Sequence, residues 1–185
     1  MFKNIKNIIS VVYSLAKFIF IKCICFRTFN FHLVERFSPS TMINIWPKGK
    51  LILGKKVIAH TGTKLSVTDG AVLNIGDKVG LNYNCIVCCR KKIVIGTNTI
   101  LGPGVIIYDH DHEYDVNKKV DSKNFKTGDV EIGENCWIGA NTIILRGTKI
   151  GDNCVVGAGS VIKGNFPANS VIVQKRRTFV NGLML

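Results

Sequence analysis

Four histidines are the side chains of this 185-residue chain best suited to move a proton near neutral pH, and they are unevenly placed. His32 and His60 stand alone, whereas His110 and His112 share the segment Tyr108-Asp109-His110-Asp111-His112-Glu113-Tyr114-Asp115. An imidazole flanked by acids is the residue set of a general base, because the neutral ring takes a proton while a carboxylate fixes its tautomer. A solvated loop also collects His and Asp, but a histidine pair bracketed by acids at the root of a long insertion points to chemistry. His112 is the candidate base and His110 the second candidate, since alternation along this segment does not choose between them. Asp115 or Asp111 is the candidate orienting acid.

Such a pair needs a stiff frame, and the flanking sequence supplies one. Ile132, Ile138, Ile144, Ile150, Val156 and Ile162 recur every sixth residue, and Gly133, Gly139, Gly151 and Gly157 follow four of them. Neither a helix nor a flat strand has that period, whereas a coil that turns a corner every six residues does. Small residues, among them Cys136, Thr142, Thr148, Cys154 and Ser160, fill the slot beside each aliphatic one. The register continues upstream through Ile75, Leu81 and Val87, slips by two residues near Lys91 and Lys92, and resumes at Ile95, Leu101 and Ile107. The predicted fold is therefore all-β, a hexapeptide-repeat solenoid whose turns bury their inner faces only against one another.

The solenoid is expected over residues 51–173, with one long loop, 109–129, extruded from it; an interruption of that length in a regular solenoid is usually functional. Residues 1–50 divide into a helix and an extended lead-in to the first coil near Leu51, and residues 174–185 form a basic tail. Between Ile5 and Ile19 the apolar residues Ile5, Ile8, Ile9, Val12, Ala16 and Ile19 fall at helical spacing, opposite Lys3, Lys6, Asn7, Ser10, Ser14 and Lys17. Ser10, Ser14 and Lys17 make this stretch a poor membrane span, and no small-x-small cleavage site closes it as a signal peptide. It either lies on an anionic membrane surface or caps the open end of the solenoid.

The composition narrows the partners. A net charge of +13 favours phosphates, nucleic acid or a lipid surface, but no basic helix, zinc pattern or aromatic-studded basic strand marks a nucleic-acid module, so no nucleic acid is expected. Of seven cysteines, Cys85, Cys136 and Cys154 occupy interior slots of the repeat. Cys23 with Cys25, and Cys88 with Cys89, lack the two-residue gap of a zinc or redox pair. An odd count fits a reducing compartment.

The hexads, the segment Asn135-Cys136-Trp137-Ile138-Gly139-Ala140-Asn141 and the segment Val156-Gly157-Ala158-Gly159-Ser160-Val161 resemble the hexapeptide-repeat O-acetyltransferases of the galactoside, maltose and capsular polysaccharide type. Asn82-Tyr83-Asn84-Cys85, followed by His112 thirty residues after Asn82 and then by Trp137, makes the likeness more specific than the hexad alone. The resemblance implies a left-handed parallel β-helix, a homotrimer with active sites between subunits, acetyl-CoA as acyl donor with no metal, and a sugar or oligosaccharide acceptor. It also implies roles: His112 as catalytic base, Asn82 in the acceptor pocket with His110 and Trp137 beside it, the Ala140 N–H facing the thioester oxygen, and Gly139 with Ala158 lining the coenzyme A cleft. Coenzyme A carries phosphates, and Lys163, Arg176 and Arg177 are the candidate cations for them. Gln174-Lys175-Arg176-Arg177 departs from the family's usual tail, and Cys88-Cys89-Arg90 stands where galactoside-type relatives have acidic residues, so a different sugar is expected.

Three readings follow. The first is an acetyl-CoA-dependent O-acetyltransferase acting on a surface polysaccharide or its precursor, cytoplasmic and peripheral at the inner membrane face; an amino-sugar N-acetyltransferase is its near variant. The second is a metal hydratase of the γ-type carbonic anhydrase kind, for which His110 and His112 supply two ligands but no third is apparent. The third is a non-enzymatic trimeric scaffold.

Overall fold

The computed structural model describes residues 2–114 and 121–175. From Phe29 onward the chain winds as a parallel β-solenoid with three faces. The first face is a seven-stranded sheet running from Phe29–Asn30 to Asn165–Phe166, the second a seven-stranded sheet from Arg36–Phe37 to Val171–Ile172, and the third a six-stranded sheet from Met42–Ile45 to Val161–Ile162. Each turn contributes one short strand to each face in that order, the architecture of the expected left-handed β-helix.

Alternation within each strand sends one set of side chains inward, where it meets its counterparts in the turns above and below. On the second face Ala59, Leu81, Leu101, Ile138 and Val156 stack in register, and all are buried. Ile132, Ile144, Ile150 and Ile162 are likewise buried. The interior is one aliphatic column per face, and burial raises the thiol of Cys85 to about 11, an inert packing group.

The hexad holds only where the strands are shortest. Ile138 pairs with Val156, an interval of 18 residues, but Leu81 pairs with Leu101, an interval of 20, and Ala59 with Leu81, an interval of 22. The earlier turns carry four-residue strands such as Lys50–Leu53 and Lys64–Val67, which stretches the period beyond the hexad. For the same reason the segment read as a lead-in is the first full turn: Phe29, Phe37 and Ile43 pair with Leu51, Ala59 and Leu65.

Close approach of successive turns explains the glycine after each aliphatic residue. A Cβ on Gly139 would sit 2.5 Å from Ala158 N and 2.7 Å from Val156 O, backbone atoms that cannot give way.

The helix spans Phe2–Ile24 and meets the first turn with its hydroxyl-bearing side. Ser14 Oγ accepts the Phe37 N–H at 2.7 Å, Lys17 Nζ donates to Thr41 O, and Lys22 Nζ donates to Phe29 O at 2.6 Å. Phe18, fully buried, plugs the open end of the solenoid with its ring 4.9 Å from Phe37 and 5.3 Å from Phe29. The helix also runs past Ile19, taking in Phe20, Ile21 and Ile24. That extension corrects the reading of a poor span, for Asn7–Ile24 is long and apolar enough to cross a bilayer by length and composition.

Candidate active site

The long interruption is built as a hairpin. His110–Glu113 pairs antiparallel with Asp121–Thr127, setting His110 opposite Thr127 and His112 opposite Phe125. It leaves the solenoid where the third face turns into the first, here called the hairpin edge. Strand alternation places His110 and His112 on one side, and the Phe125 ring supports both, at 5.5 Å and 4.4 Å between centroids. Asp111 takes the opposite side and pairs with Arg146 Nε one turn further on, so it does not orient His112. The Arg90 guanidinium lies 3.5 Å above the Phe125 ring, pinning the hairpin from the preceding turn. Asp115 lies outside the described residues.

Asp109, which sequence reasoning passed over, anchors the base of this hairpin. Its carboxylate is fully buried; Oδ1 accepts the Arg90 N–H at 2.8 Å, and Oδ2 accepts those of Lys91 and Lys92 at 2.7 Å and 2.9 Å. Three successive amides aimed at one carboxylate close the corner at which the repeat slips by two residues. His110 Nδ1 stands 3.0 Å from Oδ1. Burial by itself would raise the Asp109 carboxyl, but the bonds from His110 and from the Arg90 and Lys91 amides outweigh it and hold it below the usual carboxylate value. An ionised carboxylate only accepts, so Nδ1 of His110 carries the proton of this bond. The signal that could have exposed Asp109 was the coincidence of an acid directly before the histidine pair with an unexplained slip near Lys91.

A second cluster lies on the edge between the second and third faces, here the alanine edge. Asn82, Gly139 with Ala140, and Ala158 fall there, the first separated from the second by the turn of Gly102 and Pro103, with the Gly139 N–H bonded to Val156 O at 2.8 Å and the Gly159 N–H to Ala140 O at 2.7 Å. Down this edge Pro103 has no N–H, and the Tyr83 N–H is taken by Asn82 Oδ1 at 2.9 Å. Among the described residues the N–H groups of Ala140 and Ala158 have no protein acceptor, leaving two outward backbone donors one turn apart.

Not all the expected residues gather. The histidines stand on the hairpin edge and Asn82, Gly139, Ala140 and Ala158 on the alanine edge, so one chain does not bring base and oxyanion donor together. Trp137 projects outward from the second face, 58% exposed, beside Ile100. Lys163 is exposed on the hairpin edge, across the third face from Ala158. Arg176 and Arg177 lie outside the described residues. His60 stacks on Tyr83 at 4.8 Å on the alanine edge, remote from the hairpin. Among the described residues no three His, Cys, Asp or Glu side chains form a group that could hold a metal ion.

The comparisons with known proteins accord with this architecture. The family model for bacterial transferase hexapeptide (six repeats) matches residues 129–164. The chain is 30% identical over 132 residues to the putative lipopolysaccharide biosynthesis O-acetyl transferase WbbJ of Escherichia coli (strain K12), covering 67% of each. It is 41% identical over 79 residues to nodulation protein L of Rhizobium leguminosarum bv. viciae, covering 42% of this chain and 40% of that one, so it spans about two fifths of that relative's length. Among solved structures, AntD, an N-acyltransferase from Bacillus cereus crystallised with an amino-sugar nucleotide and coenzyme A, superposes with a TM-score of 0.69 at 21% identity, covering 83% of this chain and 82% of that one. At that identity the likeness concerns the fold.

Proposed function

Because this chain belongs to the hexapeptide-repeat O-acetyltransferase family, we propose that it transfers an acetyl group from acetyl-CoA to a sugar hydroxyl of a surface polysaccharide or its precursor. What carries the reading is the exposed His112 ring on a hairpin pinned from both sides, together with the unpaired Ala140 N–H on a stiff edge.

A sugar hydroxyl is a poor nucleophile at neutral pH. The His112 imidazole removes its proton as the oxygen attacks the thioester carbon, worth about 10²–10⁴-fold in rate. The carbonyl oxygen becomes an oxyanion held by the Ala140 N–H, a donor already fixed by its turn and needing no reorganisation. Collapse breaks the carbon–sulfur bond, and the departing thiolate of coenzyme A takes the proton back from the imidazolium. His110, tied to the buried Asp109, positions the hairpin.

Since the two edges of one chain face apart, the reading needs a second protomer whose alanine edge meets the hairpin edge of the first, in keeping with a closed homotrimer. Gly139 and Ala158 would line the coenzyme cleft. Asn82, on the same edge, would touch the acceptor.

A second reading is N-acylation of an amino sugar, the reaction type of AntD, alike in fold, whose own complex holds an amino-sugar nucleotide. Incubation with acetyl-CoA and separate panels of neutral oligosaccharides and amino-sugar nucleotides, followed by thiol release, tests both. Release with neither panel, or undiminished release by His112→Ala, overturns the proposal.

A further inference from the structure

We propose that the outward side of the N-terminal helix is a docking surface for an anionic lipid bilayer, on which the helix lies flat. The polarity of this helix is inverted relative to a capping helix of a soluble protein. Ser14, Lys17 and Lys22 are turned inward, where they bond to main-chain groups of the first turn. Phe18 aside, several of its large apolar side chains are turned outward: Ile9 is 60% exposed, Phe20 68% and Ile24 71%. Only 11% of the window Asn7–Ile24 is buried in the chain's own fold. An apolar stripe this long, left uncovered, marks an interaction site rather than a solvated surface.

Two further observations say what covers it. The first fifty residues hold eight Lys and Arg against a single acid, Glu35, so the apolar stripe is set in a strongly positive field that matches an anionic headgroup layer. Trp46, half exposed, continues the apolar surface from the helix end onto the solenoid, since it lines a cleft with Phe20 and Ile24. A tryptophan at the border of an apolar stripe is suited to the headgroup level. The orientation follows from the inward bonds: crossing the bilayer would strip Lys17, Lys22 and Phe18 from the first turn and reopen the solenoid, so the helix stays docked and enters the interface sideways.

Trp46 also lines a second cleft of about 280 Å³ with Arg90, Lys123 and Phe125 beneath the hairpin. Docking through the helix therefore holds the hairpin region close to the headgroups. The docking does not depend on the acetyl-transfer reading, and its test needs no substrate.

The test is co-sedimentation of the full chain with phosphatidylcholine vesicles, with and without phosphatidylglycerol, at low and high salt. Wild type should pellet with the anionic vesicles, and the double variant Ile9→Glu/Ile19→Glu should lose about tenfold in bound fraction. Val12→Asp serves as an independent second variant on the same stripe. Circular dichroism and light scattering should show unchanged β-content and oligomeric mass in all variants. Wild type left in the supernatant with both vesicle types, or variants that bind as well as wild type, would overturn the proposal. So would a fall in oligomeric mass on charging the stripe, because the face would then be covered by a second copy of the chain.

Discussion

Asp109 Oδ1 lies 3.0 Å from His110 Nδ1 while the same carboxylate accepts the backbone N–H groups of Arg90, Lys91 and Lys92. One buried charge thus closes a corner of the solenoid and fixes a ring of the hairpin.

Asp109→Asn should therefore unfold more easily, by about 2–4 kcal/mol, because the amide leaves at least one buried N–H without an acceptor. The sign of the pH effect follows from its depressed carboxyl. The folded group ionises below the ordinary carboxyl value of 3.8, so its stabilisation is complete above that value and is lost as pH falls through the folded one. Urea midpoints measured from pH 6 down to about pH 3 should drop more steeply for wild type than for Asp109→Asn.

The two histidines should separate by their readouts. His112→Ala should lower kcat about 10²–10⁴-fold with the thermal midpoint unchanged. His110→Ala should cost stability, and its rate loss should be smaller. Equal rate losses at both positions would instead make the Asp109–His110 pair the catalytic unit.

Glu35 offers a test at the other end of the solenoid. It is buried, its Oε1 accepts the His32 N–H at 3.0 Å, and burial raises its carboxyl to about 7. Below 4.5 folded and unfolded chains both hold the proton; between 4.5 and about 7 the unfolded chain gives it up first, and stability falls. Glu35→Gln should abolish that decline, leaving the variant more stable than wild type at pH 8 by about 1–3 kcal/mol and equal to it at pH 4, in chemical denaturation at each pH.

The fold was legible because Ile132 to Ile162 repeat without a slip, and every third aliphatic residue of the period stacks in the same interior column. The first turn was not, since four-residue strands around Leu51 and Leu65 lengthen the period until the hexad vanishes. In the site, His110 and His112 were found by residue type, but Asp109 acts through main-chain amides that no motif displays. The helix shows the other limit. Its amphipathic spacing was plain, yet spacing does not say which side meets the protein, and Ser14 and Lys17 turned inward because unpaired carbonyl and amide groups of the first turn had to be satisfied.

Ala158→Trp should obstruct the coenzyme cleft while leaving the fold intact, because Ala158 is exposed on the alanine edge. The expected outcome in steady-state kinetics is a KM for acetyl-CoA raised about tenfold or more, with the acceptor KM little changed.

The central claim is that base and coenzyme edge come from different protomers, and mixing two crippled variants tests it most directly. His112→Ala and Ala158→Trp chains are unfolded together in equal amounts, refolded, and assayed with an acceptor for thiol release at an acetyl-CoA concentration far below the raised KM, where each variant alone keeps about a tenth of wild-type activity or less. The account predicts recovery to about a quarter of wild-type activity, from interfaces that pair an intact hairpin edge with an intact alanine edge. No recovery in mixed oligomers of confirmed composition would contradict it.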